Sequence, residues 1–549
     1  MITVHGIKLK LGTGTDKLLR KAERQLGLDA GDIESVRIVK ESLDAREKPA
    51  LYRVFSLELE SKKTDESLIE SCNRANIRYT AENPVRFEIK ALQRHTEASA
   101  GQTALQNTEN LPRPVVVGFG PCGIFAALAL AEYGLRPVVL ERGGHMDERV
   151  AAVERFWNGG PLDPECNVQF GEGGAGTFSD GKLTTGTKSP YARWILENFV
   201  DAGASPEILY KQKPHIGTDV LRGVVVNLRK KIEGLDGEVR FGCKLTEVLT
   251  EDGAVCGVKY IQVGAEKILS TDTVVLALGH SARDTIRSLY AGGLKMEQKP
   301  FSMGVRIEHP QRLIDLAQYG APHEELGIGP ADYKLNIKTS SGRGVYTFCM
   351  CPGGYVINAS SVPGMLAVNG MSNSDRGSGT ANSALLADVL PEDYDSDHPL
   401  AGVAFQEKYE RLTCEFGNGK PPKQTVGSFL GKKTCADCGP SAAQIDLSKC
   451  LPGFVTDALR EALPKLGRKL QGFDSPDALL TAIESRSSSP VRIKRDPETL
   501  QATSACSNAD DLTIRGLYPA GEGAGYAGGI MSAAADGVRI AVRIAESLS

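Results

Sequence analysis

The run Pro114-Val-Val-Val-Gly118-Phe-Gly120-Pro121-Cys122-Gly123-Ile-Phe-Ala-Ala127 limits what this chain can fold into more than any other stretch. Three β-branched residues enter a Gly-x-Gly-x-x-Gly turn, an alanine-rich apolar run follows, and Pro137-Val-Val-Leu-Glu141 repeats the strand signal. The pattern predicts strand, tight turn, helix, strand. Gly118 permits the turn out of the strand, Gly120 lets backbone approach a pyrophosphate, and Gly123 lets helix and strand pack closely. The helix start offers free N–H groups and the positive end of its dipole to phosphate. Glu141 closes the second strand about twenty residues on, where a carboxylate can accept from both ribose hydroxyls. A membrane span from Val115 to Ala131 is excluded, because the stretch holds glycines and a proline and falls short of the ~20 residues a span needs.

The 549 residues give material for two to four domains, and 41% hydrophobic and 24% charged residues are ordinary for a soluble globular protein. A net charge of −4 excludes bulk attraction to nucleic acid or anionic membranes. The start lacks a charged segment followed by an apolar core, so no signal peptide is expected. Twelve scattered cysteines fit a reduced, cytoplasmic protein.

Residues 1–95 read as a unit of their own. Ile2–Leu9, Ile33–Val39 and Leu51–Glu60 alternate like strands, Lys17–Leu26 and Glu66–Ala75 have helical spacing, and Arg86–Lys90 reads as a last strand. The order βαββαβ predicts a ferredoxin-like α+β domain, a fold that carries no function by itself. Its Lys40, Arg46 and Lys48 are read as a solvated hairpin edge, with RNA or partner docking as the alternative. Residues 96–112, polar and closed by Leu-Pro, read as a linker.

Beyond Glu141, the glycine-dense Gly171-Glu-Gly-Gly174-Ala-Gly176-Thr177-Phe-Ser-Asp180-Gly-Lys182 suits a loop that donates backbone N–H groups to phosphates or lies against a flat ring. Val239–Tyr260 reads as a β-meander turning at Asp252-Gly253, and Thr271–Gly279 as another strand. Between residues 294 and 484 the periodicity changes. Strands are expected at Phe301–His309, Val345–Gly354 and Leu366–Met371, and helices at Thr380–Leu390, Leu400–Phe416 and Pro452–Leu466. The chain then returns to strand, glycine loop and helix from Leu512 to Ser547, with Gly521-Glu522 in the loop and the helix starting near Gly529.

Gly118-x-Gly120-x-x-Gly123 with Glu141, the Ala277-Leu-Gly279 strand end and Ala520-Gly521-Glu522 before a terminal helix resemble the two-dinucleotide-binding-domain flavoproteins. Gly173–Leu183, Phe348–Gly354, Glu484–Arg492 and Tyr518–Gly529 look like a narrower group, bacterial FAD-dependent dehydrogenases of unassigned substrate. The resemblance implies an α/β architecture: a Rossmann-like FAD-binding domain in two parts (113–293 and 485–549) interrupted by an inserted α+β substrate domain (294–484). It implies that the first motif holds the ADP part of FAD and the late acidic motif the ribityl–pyrophosphate region. The late acid is Glu522 where the superfamily mostly has aspartate. The cofactor-contacting set implied is Gly118, Gly120, Pro121, Cys122, Gly123, Glu141 and Arg142, then Gly174, Gly176, Thr177 and Lys182, then Leu245 and Gly279, and last Gly521, Glu522, Gly529 and Ile530.

No second Gly-x-Gly-x-x-Gly follows a strand in the middle of the chain, so electrons are expected from the substrate or from NAD(P)H docking transiently. Arg306, His309, Cys349 and Arg376 are the catalytic candidates. Arg343 and Arg486 are further candidates to bind an anionic substrate, and His280 is expected beside the cofactor as a hydrogen-bonding group. Cys349 and Cys351 share a face of one strand, as core or as lining of the flavin pocket. Cys435 and Cys438 lack a matching second pair for zinc, and a redox dithiol remains open. No metal is expected. The function expected is an FAD-dependent oxidoreductase acting on a small molecule. The alternatives are a flavoprotein that modifies RNA, docking through residues 1–95, and a non-catalytic FAD-binding protein.

Overall fold

The computed structural model describes residues 2–80, 87–92, 112–184, 186, 188–432, 445–504 and 512–548. Its centre is a five-stranded parallel sheet in the order Leu517–Pro519, Val274–Leu276, Val115–Val117, Val138–Leu140, Glu238–Arg240. The valine triplet Val115–Val117 holds the middle place and is buried throughout, as a strand covered on both faces must be. The Pro121–Glu132 helix leaves it through Gly118, whose φ of 100° only glycine adopts at ease. This helix is apolar all round and buried from Cys122 to Ala131, because the terminal Ile530–Ser547 helix packs against it. The two backbones touch closely: a Cβ on Gly537 would stand 2.2 Å from the Cys122 carbonyl.

The strands Cys243–Glu251, Ala254–Gln262 and Ala265–Ser270 form an antiparallel sheet. Its first hairpin turns at Asp252-Gly253, both left-handed, as a type I′ turn requires. Glu238–Arg240, read with this meander in the sequence, joins the parallel sheet instead.

The second body is a six-stranded antiparallel sheet in the order Asn336–Lys338, Gly344–Cys351, Thr380–Val389, Phe301–Pro310, Leu479–Glu484, Lys423–Thr425. Ala401–Phe416 and Gly453–Lys469 are its long helices. Thr380–Val389 corrects the expected helix. Its alanines and leucines favour helix alone, but as a strand between two neighbours it is buried on both faces, and burial overrides propensity. Both passages of the chain between the two bodies meet in one ribbon, Met296–Gln298 against Val491–Ile493.

The N-terminal sheet has the order Ile33–Glu47, Ala50–Ser61, Ile2–Lys10, Tyr79–Thr80, every pair antiparallel. With helices Leu18–Leu26 and Asp65–Arg74 this is the ferredoxin-like arrangement. The fourth strand is Tyr79–Thr80; Phe87–Lys90 is not a strand. Phe87 packs edge-on against Tyr191 at 4.7 Å, and the Leu92 N–H donates to the Tyr133 carbonyl, so these residues lie on the parallel-sheet body. Of the three basic residues singled out at the hairpin edge, Arg46 pairs with Asp44 and Lys48 donates to the Ala317 carbonyl. Cys435, Cys438 and residues 96–111 lie outside the described residues. Among the described residues no helix is long and apolar enough to cross a membrane.

Candidate functional site

A cavity of about 1070 Å³ lies between the ends of the parallel strands and the inserted sheet. Two helix starts open on it from sequence positions some four hundred residues apart. The first is Gly120-Pro121-Cys122 and the second Gly529-Ile530. Neither N-cap residue carries a side chain that satisfies the free N–H groups, so both starts aim unpaired donors and positive dipole ends at the same space. The glycine turn at the first start and the loop facing it are packed too tightly for side chains. A Cβ on Gly123 would stand 1.9 Å from the Gly118 carbonyl, and one on Gly174 2.8 Å from Gly120 Cα.

Glu141 stands at the cavity wall and ties three loops together. Its carboxylate accepts from the N–H groups of Phe119 at 2.8 Å, Gly143 at 3.0 Å and Gly171 at 2.8 Å. That uses three of a carboxylate's roughly four acceptor positions and leaves one for a hydroxyl. The Gly521 turn is held in the same manner by Asp536, which accepts from the Gly521 N–H at 2.8 Å and pairs with Arg495 at 2.8 Å. Glu522 projects into the cavity and meets His280 Nδ1 at 2.9 Å, while His280 Nε2 is buried without a partner among the described residues. Arg142 lies across the face of Phe170 and is bound by Glu165 and Asp284.

Beyond the glycine loop the wall changes character. Lys182, Arg376, Cys349 and Glu484 line this part, with Asp180 buried between the two cations. Asp180 lies 3.1 Å from Arg376 and 3.8 Å from Lys182, and Ser372 donates to it. Burial pushes the Asp180 carboxyl up, but Lys182, Arg376 and the Ser372 hydroxyl outweigh it and hold it below the ordinary value. His215 beside them is pushed down to about 4 by burial and by Arg376, so its imidazole is neutral at pH 7. Glu484 goes the other way: burial raises it to about 7 against the pull of Arg306.

Of the residues picked from sequence, Gly118, Gly120, Pro121, Cys122, Glu141, Arg142, Gly174, Gly176 and Lys182 line the cavity, as do Leu245, Gly279, Glu522, Gly529, Ile530, Cys349 and Arg376. Gly123 and Gly521 shape its wall without facing it. Thr177 is buried, its hydroxyl spent on the Glu172 carbonyl. His309 is corrected: it falls on the other face of its strand from Arg306, where its Nε2 meets the Phe473 carbonyl at 2.8 Å inside the inserted domain's core. Arg306 is wholly buried behind the wall, and Arg343 is paired with Asp393 away from it. Arg486 reaches the wall but is clamped by Glu410. Asp180, His215 and Glu484 are the groups that residue spacing did not single out. Asp180 and Glu484 do fall in the segments that carry the narrower resemblance.

Residues 300–487 match the family model of the FAD-dependent protein C-terminal domain, and residues 1–60 match a domain of unknown function, DUF8436. A Clostridium beijerinckii protein described as uncharacterised is 42% identical over 555 residues, covering 99% of this chain and 98% of its own. Two solved structures are distant likenesses. A geranylgeranyl bacteriochlorophyll reductase-like protein from Thermoplasma acidophilum is 14% identical, with a TM-score of 0.35 over 80% of this chain and 78% of its own. A 3-ketosteroid dehydrogenase from Rhodococcus jostii is 13% identical, with a TM-score of 0.33 over 81% and 98%.

Proposed function

This chain belongs to one family with the Clostridium beijerinckii protein and carries a FAD-dependent-protein domain over residues 300–487, and from that premise we propose that it is an FAD-binding oxidoreductase acting on a small molecule. The observation that carries the reading is the convergence of two uncapped helix starts on one cavity whose far wall is built from charged side chains. The tight glycine backbone fits a dinucleotide: the N–H groups of the Pro121 helix start would hold its diphosphate, Glu141 a ribose, and the Gly529 helix start with Glu522 the ribityl side. Bound FAD supplies reversible two-electron chemistry. The chain's own groups position the reactants. Lys182 and Arg376, two cations against Asp180 and a Glu484 that its raised value leaves partly neutral at pH 7, favour an anionic substrate. Glu484, at about 7, can hold or release a proton at neutral pH. Electrons come from the substrate or from NAD(P)H docking transiently.

The test is to denature the purified protein and identify what is released, then reduce the holoprotein anaerobically with NADH or NADPH and reoxidise it with a panel of organic acids and unsaturated compounds. Released FAD and reoxidation by one class of compound are expected. A colourless chain that refuses added FAD, or a bound flavin that no donor reduces, would overturn the reading.

A further inference from the structure

We propose that Cys349 and Cys351 are a redox-active dithiol that exchanges two electrons with the FAD of the adjoining cavity. The inference rests on FAD occupying that cavity.

The two cysteines end the Gly344–Cys351 strand of the inserted sheet. There the register slips. Phe348 lies opposite Ala384 and Cys351 opposite Asn382, so three steps on one strand match two on the other. Cys349 absorbs the slip with φ at 43°, a left-handed conformation that costs a side-chain-bearing residue free energy and is often found where function requires it. Only Met350 separates them, and in a fully extended run that sets the two Cα atoms about 7 Å apart, the limit of what a disulfide spans. The Cys351 thiol already turns towards its neighbour, donating to the Cys349 carbonyl at 3.3 Å.

Access and charge divide the pair. Cys349 lines the cavity and Cys351 is fully buried behind it. The Arg306 guanidinium stands over both, 3.0 Å from the Cys349 carbonyl and 3.6 Å from Cys351 Sγ. Arg306 is fully buried, and its Nε and Nη1 have no hydrogen-bond partner among the described residues; Nη1 is 3.6 Å from Glu484, which is charge pairing without a hydrogen bond. A cation left short of partners beside two sulfurs favours a thiolate. Burial pushes the thiols of Cys72, Cys122, Cys243 and Cys450 up, as inert core cysteines require. Cys349 moves down instead, through its hydrogen bond with Cys351 and the charges of Lys182 and Arg306, while Cys351 moves up. The pair therefore has an accessible thiolate and a buried thiol.

In the exchange the two sulfurs join and the Cys351 S–H bond breaks. The electron pair and one proton pass to FAD, so thiolate, thiol and oxidised FAD become disulfide and the reduced FAD anion. The reverse step reopens the disulfide.

The experiment is an anaerobic dithionite titration of the oxidised holoprotein, followed by flavin absorbance, with alkylation and mass mapping of the peptide that holds both cysteines. Wild type is expected to take up four electrons per FAD and Cys351→Ser two. The wild-type peptide should lack two hydrogens before reduction and be alkylated twice after it. If Cys351→Ser does not retain FAD, Cys349→Ala is titrated in its place, and the wild-type mapping stands independently of either. An FAD-loaded wild type that takes up only two electrons, with both cysteines alkylated in the oxidised protein, would overturn the exchange alone. A chain that binds no FAD would overturn the proposed function and the exchange with it.

Discussion

The two walls of the cavity are built on opposite principles. The parallel-sheet wall is backbone: glycines without room for a Cβ, two helix starts with unpaired N–H groups, and carboxylates such as Glu141 and Asp536 that hold loops in place. The inserted wall is side chain: Lys182 from the glycine loop facing it, then Cys349, Arg376 and Glu484 from three separate stretches of an antiparallel sheet and its loops. Backbone recognition needs consecutive residues of one kind and so leaves a contiguous trace in sequence. Side-chain recognition needs only that strands pair in the right register, and leaves none.

The two walls are locked together by buried charge, and breaking that lock has the largest expected effect. Glu410 of the inserted domain, fully buried, accepts from Arg283 at 2.8 and 2.9 Å and from Arg486 at 2.8 and 3.1 Å. Glu410→Ala would leave two guanidiniums without their shared anion, at a cost of ~3–5 kcal/mol read by denaturant unfolding. Burial would push the Glu410 carboxyl up, but the two arginines outweigh it and hold it far below the ordinary value. Its contribution is therefore present above the ordinary carboxylate range and is lost only as pH falls through the depressed folded value. The gap between wild type and variant should hold at pH 7 and close in acid. Equal stability of the two proteins at pH 7 would mean that the walls are joined by other means.

A single methyl on the backbone wall comes next. In Gly123→Ala the new Cβ meets the Gly118 carbonyl at 1.9 Å, so helix and strand must separate. FAD affinity should fall at least ~100-fold, about 2.7 kcal/mol, measured by flavin titration with circular dichroism to show that the chain remains folded. The same change at Gly528, where a Cβ meets nothing within 4 Å, should leave affinity near wild type. If both substitutions act alike, backbone crowding is not what shapes this wall.

The same contrast explains what could be read in advance. Val115–Val117, the glycine turn, Glu141 and the late Gly521-Glu522 loop are local patterns, and each reaches the cavity wall or shapes it. Thr380–Val389 misleads because its composition favours a helix until two neighbouring strands cover it. His309 misleads because three residues along a strand reverse the face. Asp180 is surrounded by partners from residues 182, 372 and 376, a grouping that no spacing rule connects. Phe87 carries no hint that it belongs with Tyr191, because the contact spans a hundred residues.

A comparable effect tests the charge on the side-chain wall. Glu484 has its folded value raised to about 7, chiefly by burial. A raised group contributes stability that is complete below its unfolded value and is lost as pH rises through the folded one. Wild type should therefore lose ground to Glu484→Gln between about pH 4.5 and 7, by about 3 kcal/mol, and little further above that window. Melting curves of the two proteins across that range give the answer. Parallel curves would mean that Arg306 already holds Glu484 ionised, and that this wall is as firmly paired as the other.

The smallest effect lies at the point where the two principles meet. Glu522 sits in the backbone-built glycine loop yet acts through its side chain, with its Oε1 2.9 Å from His280 Nδ1. Aspartate at this position is one methylene shorter and cannot span that distance from the same backbone. Glu522→Asp should free His280 and draw the carboxylate back from the cavity, weakening FAD roughly 3- to 10-fold, about 1 kcal/mol, the worth of one hydrogen bond. His280→Ala should weaken FAD by a similar amount, and the double variant by little more than either, since both remove one contact. Losses that add in full would show that Glu522 and His280 reach the cofactor separately, and that the loop contributes a side-chain contact of its own rather than only a backbone turn.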